Sequence, residues 1–158
     1  MNQTSVIENR KNCQVLINVN HAAGWQFSPA AADYYGRVFL PLGVEATSKS
    51  TYYFSGDTNQ VFILPRLNQT SQDADPKPQI FKQYYFDGPY NGIYYRNDRW
   101  VGDTGRVWSK CGSGAMLNIN TEVRVGPQTA TPPSRNASME VFNLLGGTVK
   151  VTWRKCTA

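Results

Sequence analysis

Residues 115–125 alternate between two sets of side chains, and this pattern constrains the fold more than any other feature of the chain. Successive side chains of a β-strand point to opposite faces, so a period of two is typical of a strand buried on one side only. At 11 residues the segment is long for a strand. One face takes Ala115, Leu117, Ile119, Thr121, Val123 and Val125, and the other takes Met116, Asn118, Asn120, Glu122 and Arg124.

Weaker alternation marks further strands, and helical periodicity does not recur along the chain. The predicted strands cover residues 13–19, 34–40, 51–54, 61–64, 81–86 and 93–96, and a final hairpin pairs 139–145 with 148–155 around Gly146-Gly147. Polar stretches at 65–80 and 126–138 are predicted loops, and residues 87–92 supply a turn. Short strands with frequent turns predict one all-β domain over residues 1–158, an antiparallel, jelly-roll-like β-sandwich with little or no helix.

Composition is that of a globular domain, because 41% of the residues are hydrophobic, 13% are aromatic and only 17% are charged. The formal net charge is +5, but the basic residues are scattered, with the densest groups at Arg10-Lys11 and Arg154-Lys155. A nucleic-acid-binding protein usually concentrates its Lys and Arg on one face or arm, so no nucleic-acid partner is predicted. No apolar run approaches the ~18 residues of a membrane span.

The three cysteines, Cys13, Cys111 and Cys156, leave two interpretations open. In a cytosolic protein they are reduced thiols, whereas an oxidising compartment gives one disulfide and an odd thiol. No C-x-x-C pair occurs and His21 is the only histidine, so neither a metal nor a cofactor is predicted. Sequons at Asn2, Asn68 and Asn136 are compatible with secretion, and Asn68 and Asn136 are the predicted glycosylation sites.

Four Tyr-Tyr doublets occur, at residues 34–35, 52–53, 84–85 and 94–95. On a strand each doublet places one ring in the core and the other outside. One interpretation is that the outer rings form an aromatic platform on which sugars stack. The simpler interpretation is that Tyr favours strands and its hydroxyl is tolerated at the surface.

Catalytic patterns are sparse in the sequence. A Ser-His-Asp site needs a histidine base, and His21 is followed by no G-x-S-x-G motif. Glycoside hydrolysis needs only two carboxyl groups, and the candidates near the aromatic segment are Asp87, Asp98 and Asp103. Asp87 and Asp103 stand close to glycines, where Asp commonly stabilises turns. No catalytic residue is therefore predicted.

Six strings in one order resemble the domain-of-unknown-function 4360 family, small secreted proteins mainly of filamentous fungi and some bacteria. They are Arg-Lys-Asn-Cys (10–13), Ser-Thr-Tyr-Tyr-Phe-Ser-Gly (50–56), Gly-Pro-Tyr-Asn-Gly (88–92), Val-Trp-Ser-Lys-Cys-Gly (107–112), Met-Leu-Asn-Ile-Asn-Thr-Glu-Val-Arg-Val (116–125) and Val-Thr-Trp-Arg-Lys-Cys (151–156). The resemblance covers most of the chain from Arg10 onward. Residues 65–80 look like an insertion, and Lys110 stands where the family pattern often has Pro. The family has no assigned active site.

The resemblance implies secretion. Family members carry a signal peptide and a cysteine-containing β segment before the Arg-Lys-Asn-Cys string, and we expect the present sequence to lack that segment. Its loss would expose a sheet edge, so we expect a monomer or a weak dimer formed through that edge. We further expect a Cys13–Cys111 disulfide and a free thiol at Cys156. Cys156 follows the C-terminal strand, where the missing segment, with its cysteine, would have paired.

Three functions remain open at this point. The first is a non-catalytic secreted protein whose exposed aromatic and Asn-rich strand faces bind a carbohydrate or cell-wall surface. The second is a secreted effector or elicitor that engages a host protein through an exposed apolar patch. The third is a hydrolase that uses two of the three aspartates. The residues predicted to contact a carbohydrate are Tyr53, Tyr85, Tyr90, Tyr95 and Trp100.

Overall fold

One strand of 31 residues, β1 (Arg10–Leu40), organises the sheet. The computed structural model describes residues 10–55, 79–103, 105–127, 137–141 and 148–157. The other strands of this part of the chain are β2 (Val44–Phe54), β3 (Gln79–Asp87), β4 (Tyr90–Arg99), β5 (Gly112–Pro127), β6 (Ser138–Val141) and β7 (Val149–Lys155). All their pairings are antiparallel, and no described residue is helical, so the all-β prediction is confirmed.

Several predictions fall outside the described residues: the strand at 61–64, the Gly146-Gly147 turn and the glycosylation sites Asn68 and Asn136. No helix in the described ranges is long and apolar enough to cross a membrane.

The length of β1 differs from the prediction of two separate strands at 13–19 and 34–40. The residues between them keep pairing, because the strand bends at two irregularities instead of ending. The register shifts between Asn20 and Trp25, where Gly24 has a φ of 81°, and again near Pro29. The first half of β1 therefore pairs with β5, its middle with β7, and its second half with β4 on one edge and β6 on the other.

The sheet has the strand order β3-β2-β5-β1-β4. It curls, so that the inward-facing side chains of β1 and β4 pack against those of β2. The hydroxyl groups of Tyr34 on β1 and Tyr52 on β2 are 2.6 Å apart. Arg96 of β4 donates from Nη1 to Oγ of Ser48 on β2 at 2.7 Å. Such contacts between non-adjacent strands show that β4 and β2 face each other across the interior.

The interior contains two apolar clusters with a polar centre between them. The first cluster is built around Phe27, Tyr52, Leu117 and Ile119, and the second around Val38, Leu40, Val44 and Tyr94. The polar centre consists of the buried side chains Ser48, Ser50, Arg96, Asp98 and Thr121. Ser48 and Ser50 take the two inward positions of β2 between Ala46 and Tyr52, so alternation along the strand places polar groups between the clusters.

The disulfide joins Cys111 to Cys156, and Cys13 is a free, exposed thiol. The predicted Cys13–Cys111 bond and free Cys156 are therefore wrong. Trp25 pairs with both Gly112 and Lys155, which brings the neighbours of Cys111 and Cys156 to one residue of β1. Cys13 lies opposite Thr121, ten positions along from Cys111. In an extended strand that is roughly 33 Å, far beyond the ~7 Å Cα separation that a disulfide can span.

Candidate binding groove

The four tyrosine doublets divide between the interior and the surface as the alternation predicts. Tyr34, Tyr52 and Tyr94 are buried. The second tyrosine of each doublet points outward, and Tyr85 and Tyr95 are 72% and 67% exposed. Tyr53, Tyr85 and Tyr95 are the predicted contacts that belong to doublets, and each is more exposed than the preceding tyrosine of its doublet.

The outer face of β2 forms the floor of an open groove with a volume of about 340 Å³. Its lining residues come from four strands: Arg10, Lys49, Thr51, Tyr53, Gln79, Asn120 and Glu122. All seven side chains are polar or aromatic, so the groove offers a ring, hydroxyl groups, amides and charges to a ligand.

Strand register explains why these residues meet. Lys49 pairs with Glu122, and Thr51 pairs with Asn120, across β2 and β5. Tyr53 pairs with Gln79 across β2 and β3. Because paired residues of neighbouring strands point to the same face, the polar sides of three strands join into one surface. The polar face predicted for 116–124 supplies the Asn120 and Glu122 side of it.

The Tyr53 ring is held in place by a chain of amide groups. Nε2 of Gln14 donates to the Tyr53 hydroxyl and to Oδ1 of Asn118, both at 3.0 Å. Nδ2 of Asn118 in turn donates to Oγ of Ser55 at 2.6 Å. A ring fixed before a ligand arrives loses little conformational entropy on binding. Asn120 lines the groove, but its Oδ1 is buried and has no hydrogen-bond partner among the described residues.

Charge in the groove is unevenly matched. Glu122 accepts from Arg10 through Oε2, and its Oε1 lies 3.5 Å from Nη2 of Arg124. The Arg10 and Arg124 side chains remain 55% and 57% exposed. The Lys49 ammonium lies 4.7 Å from the centre of the Phe81 ring. Within the described ranges no carboxylate lies within 4.0 Å of it.

The five predicted contact residues do not form one platform. Tyr53 and Tyr85 share the outer face of β2 and β3, although roughly 20 Å of strand separates their positions. Tyr95 points to the opposite side of the molecule, because its neighbours Tyr94 and Arg96 point inward towards β2.

Tyr90 and Trp100 are committed to contacts within the protein. The Tyr90 hydroxyl donates to the carbonyl oxygen of Ile93 at 3.2 Å. The Trp100 ring meets the ring of buried Tyr52 edge to face, with 4.7 Å between centroids, and packs against the first apolar cluster. Of the five, Tyr53 is the one that lines the groove.

Sequence reasoning missed Lys49, Thr51, Arg10 and Gln79 as site residues. Gln79 fell in the predicted loop at 65–80 and is the first residue of β3. The polar alternation of β2, with Lys49, Thr51 and Tyr53 on one side, was a usable signal once β2 was known to begin at Val44 rather than at residue 51.

The three aspartates do not form a hydrolytic pair. Asp98 is fully buried and accepts a 2.7 Å hydrogen bond from Tyr52, so a substrate in solvent does not reach it. Asp87 ends β3 and Asp103 follows β4, so the length of β4, roughly 30 Å for 10 residues, lies between them. Paired carboxyl groups for glycoside hydrolysis are about 5 to 10 Å apart. No group of three or more His, Cys, Asp or Glu side chains converges within the described residues.

Comparison with known proteins gives a family and a secreted relative. The family model of the domain of unknown function DUF4360 matches residues 1–156. A protein of Arthroderma benhamiae, described as an uncharacterized secreted protein, is 40% identical over 155 residues. The match covers 95% of this chain and 53% of the relative, so the chain spans about half the relative's length. No solved structure matches the chain.

Proposed function

The chain belongs to the DUF4360 family, and from that premise we propose that it is an extracellular protein that binds polysaccharide through the groove around Tyr53 without cleaving it. The Arthroderma benhamiae relative is a secreted protein, and the same compartment is assigned here. The Cys111–Cys156 disulfide agrees with an oxidising compartment.

The observation that carries the proposal is the fixed Tyr53 ring at the floor of a polar, open groove. The faces of sugar rings carry C–H groups, which pack on aromatic rings, and their edges carry hydroxyl groups. Thr51 and Gln79 offer both donors and acceptors for those hydroxyl groups around the ring. An aromatic surface with amides and hydroxyls at its edge therefore matches a sugar chain on both counts.

The carboxyl groups of the groove support binding without hydrolysis by a carboxylate pair. Glu122 is the one carboxylate in the described lining, and both of its oxygens face arginine guanidinium groups. A retaining or inverting glycosidase needs a second carboxyl group across the scissile bond. The groove provides no such pair among its described residues.

Depletion from solution by insoluble chitin, β-glucan, cellulose and pectin tests the proposal. Tyr53→Ala is expected to abolish depletion, whereas Tyr53→Phe keeps the ring and most of the binding. Tyr95→Ala is the matched control, because its ring is exposed on the opposite side of the molecule. Equal depletion by wild type and Tyr53→Ala contradicts the site, and sugars released into solution contradict a purely binding role.

A second function, binding of a host protein, is favoured by an apolar patch on the outer face of β1 and β4. Tyr35 pairs with Tyr95 there, and Arg37 pairs with Ile93. Ile93 is 73% exposed, and the Tyr95 hydroxyl donates to Oδ1 of Asp33 at 2.8 Å, which holds its ring. Loss of partner capture on Ile93→Lys, with polysaccharide binding intact, would establish this role for the patch.

We retain a jelly-roll-like β-sandwich as the architecture, because the inner faces of β2 and β4 pack directly on each other. Glycosylation is proposed at Asn68 and Asn136, and a monomer or weak edge-to-edge dimer is proposed in solution.

A further inference from the structure

The groove around Tyr53 contains more cationic than anionic side chains. Arg10 and Lys49 line it, and Arg124 stands beside it on β5. Glu122 is the opposing charge within the described lining. Three cations against one carboxylate leave an excess of positive charge on a face that is otherwise polar and uncharged.

Glu122 does not neutralise this excess. Its Oε2 is used by Arg10 and its Oε1 faces Arg124, so one negative charge is shared by two guanidinium groups. A guanidinium carries five N–H donors, more than Glu122 can accept from either arginine. Both arginine side chains are more than half exposed, which leaves donors directed at solvent.

Lys49 adds a cation that no described carboxylate neutralises. Its ammonium lies over the face of Phe81, an arrangement that holds the charge at the surface while leaving it open to an anion. Lys49 is directly opposite Glu122 in the register, so an anion that meets Lys49 also reaches the Arg10 side of the groove.

We propose that the ligand is a polysaccharide whose sugars carry carboxylate groups, that is, a uronic-acid polymer; this rests on the proposed function. Lys49 and Arg10 bind a sugar carboxylate while Tyr53 stacks on a ring further along the chain. Lys49 and Tyr53 are four residues apart on one face of β2, roughly 13 Å, so the contacts reach several successive sugars. Screening of these exposed charges makes the binding weaken as salt rises.

The experiment compares polygalacturonate with the same polymer after methyl esterification, which removes the charge and keeps the backbone. Isothermal titration at 20 mM and 300 mM salt measures wild type, Lys49→Gln, Tyr53→Ala and Lys150→Gln. Lys150 is an exposed lysine of β7, outside the groove, and its substitution makes the same change in net charge. We expect the ester to bind about tenfold more weakly than the acid, as loss of a charge-assisted contact implies.

Lys49→Gln is expected to lose affinity for the acid and not for the ester, and Lys150→Gln to bind both as wild type does. Equal binding of acid and ester overturns the carboxylate preference while leaving polysaccharide binding in place. Equal losses on Lys49→Gln and Lys150→Gln overturn the groove as the site, since net charge then explains both. Failure to bind the acid, the ester and neutral glucans overturns the proposed function itself. Equal binding of anionic lipid vesicles overturns recognition of the sugar.

Discussion

The hydroxyl of Tyr52 donates a 2.7 Å hydrogen bond to Oδ2 of Asp98 at the centre of the protein. The two residues belong to β2 and β4, which do not pair in the sheet, so the bond joins opposite walls of the interior. Tyr52 is also 2.6 Å from the hydroxyl of Tyr34 on β1. Burial raises the pKa of Asp98, against the opposing effects of Arg96 and the Tyr52 hydrogen bond. The curl of the sheet therefore depends on a few buried polar contacts as well as on apolar packing.

Removing the Tyr52 hydroxyl tests that dependence. Tyr52→Phe leaves a buried carboxylate without one of its donors and is expected to lower the free energy of unfolding by about 1–3 kcal/mol. Urea denaturation measures the change. Tyr85→Phe, at a 72% exposed position, is the control and is expected to change stability by less than about 0.5 kcal/mol. Equal effects of the two substitutions would show that the interior bond is not stabilising.

Asp98 also gives the protein a specific pH dependence. Its folded-state pKa is raised above the ordinary value of 3.8, so the folded protein binds this proton more tightly than the unfolded chain does. The resulting stability is fully present below pH 3.8 and is lost as the pH rises through the folded-state pKa. Wild type is therefore expected to gain stability relative to Asp98→Asn as the pH falls from 7 towards 4. A difference that is constant over that range contradicts the raised pKa.

Gly36 allows close contact between β1 and its neighbours. A Cβ atom at this position would lie 1.9 Å from the carbonyl oxygen of Glu140 and 2.6 Å from the Tyr94 ring. Gly36→Ala is expected to cost about 1–3 kcal/mol or more, since β6 and β4 would have to move. Gly126→Ala is the control, because nothing lies within 4 Å of a Cβ there. Thermal unfolding of both variants makes the comparison, and equal melting temperatures would refute the steric argument.

Alternation predicted β5 most clearly, whereas the equally regular alternation of β2 before residue 51 was missed. The inward set at 115–125 includes the buried residues Leu117, Ile119 and Thr121 of β5. Asn118 belongs to the set predicted to face solvent, yet it is buried, because Gln14 and Ser55 cover it with hydrogen bonds. The same reasoning predicted two strands in place of β1, because the residues around Gly24 and Pro29 do not alternate and contain residues that commonly end strands. Pairing with β7 on one edge keeps that stretch extended, and a partner distant in sequence is not visible in a local pattern.

The groove was only partly predictable for a related reason. Which tyrosine of a doublet faces outward depends on the parity of its own strand, and Tyr53, Tyr85 and Tyr95 are each more exposed than the tyrosine before them. Which outward residues share a surface depends on how the sheet curls. The curl places Tyr95 on the far side from Tyr53 and brings Arg10 to the groove from 39 residues before Lys49. Long-range register, rather than composition, decides the membership of the site.

Arg106 links the loop that follows β4 to the middle of β1. Its guanidinium donates to the carbonyl oxygens of Pro29, at 2.7 Å, of Gly102 and of Trp100. A lysine ammonium lacks the planar arrangement that serves three acceptors at once, so Arg106→Lys is expected to cost about 1–3 kcal/mol. Arg37→Lys, at an exposed position of β1, is the control for the change of side chain. Faster hydrogen exchange at residues 100–106 would locate the loss in this loop.

The cysteines give a prediction that separates covalent from packing effects. The Cys111–Cys156 bond closes a segment with a sequence separation of 45 residues, and a cross-link of that span typically contributes about 2–4 kcal/mol. The double substitution of Cys111 and Cys156 by Ser is expected to lose that amount, while Cys13→Ser leaves stability unchanged because its thiol is free and exposed.

Peptide mapping without reduction should join the peptides that contain Cys111 and Cys156 and leave the Cys13 peptide open to alkylation. A Cys13–Cys111 link would contradict the strand register itself. It would require residues placed roughly 33 Å apart along β5 to meet, which no local adjustment of a loop provides. The mapping therefore tests the pairing of β1 with β5 and β7 together, and with it the position of Arg10 at the groove.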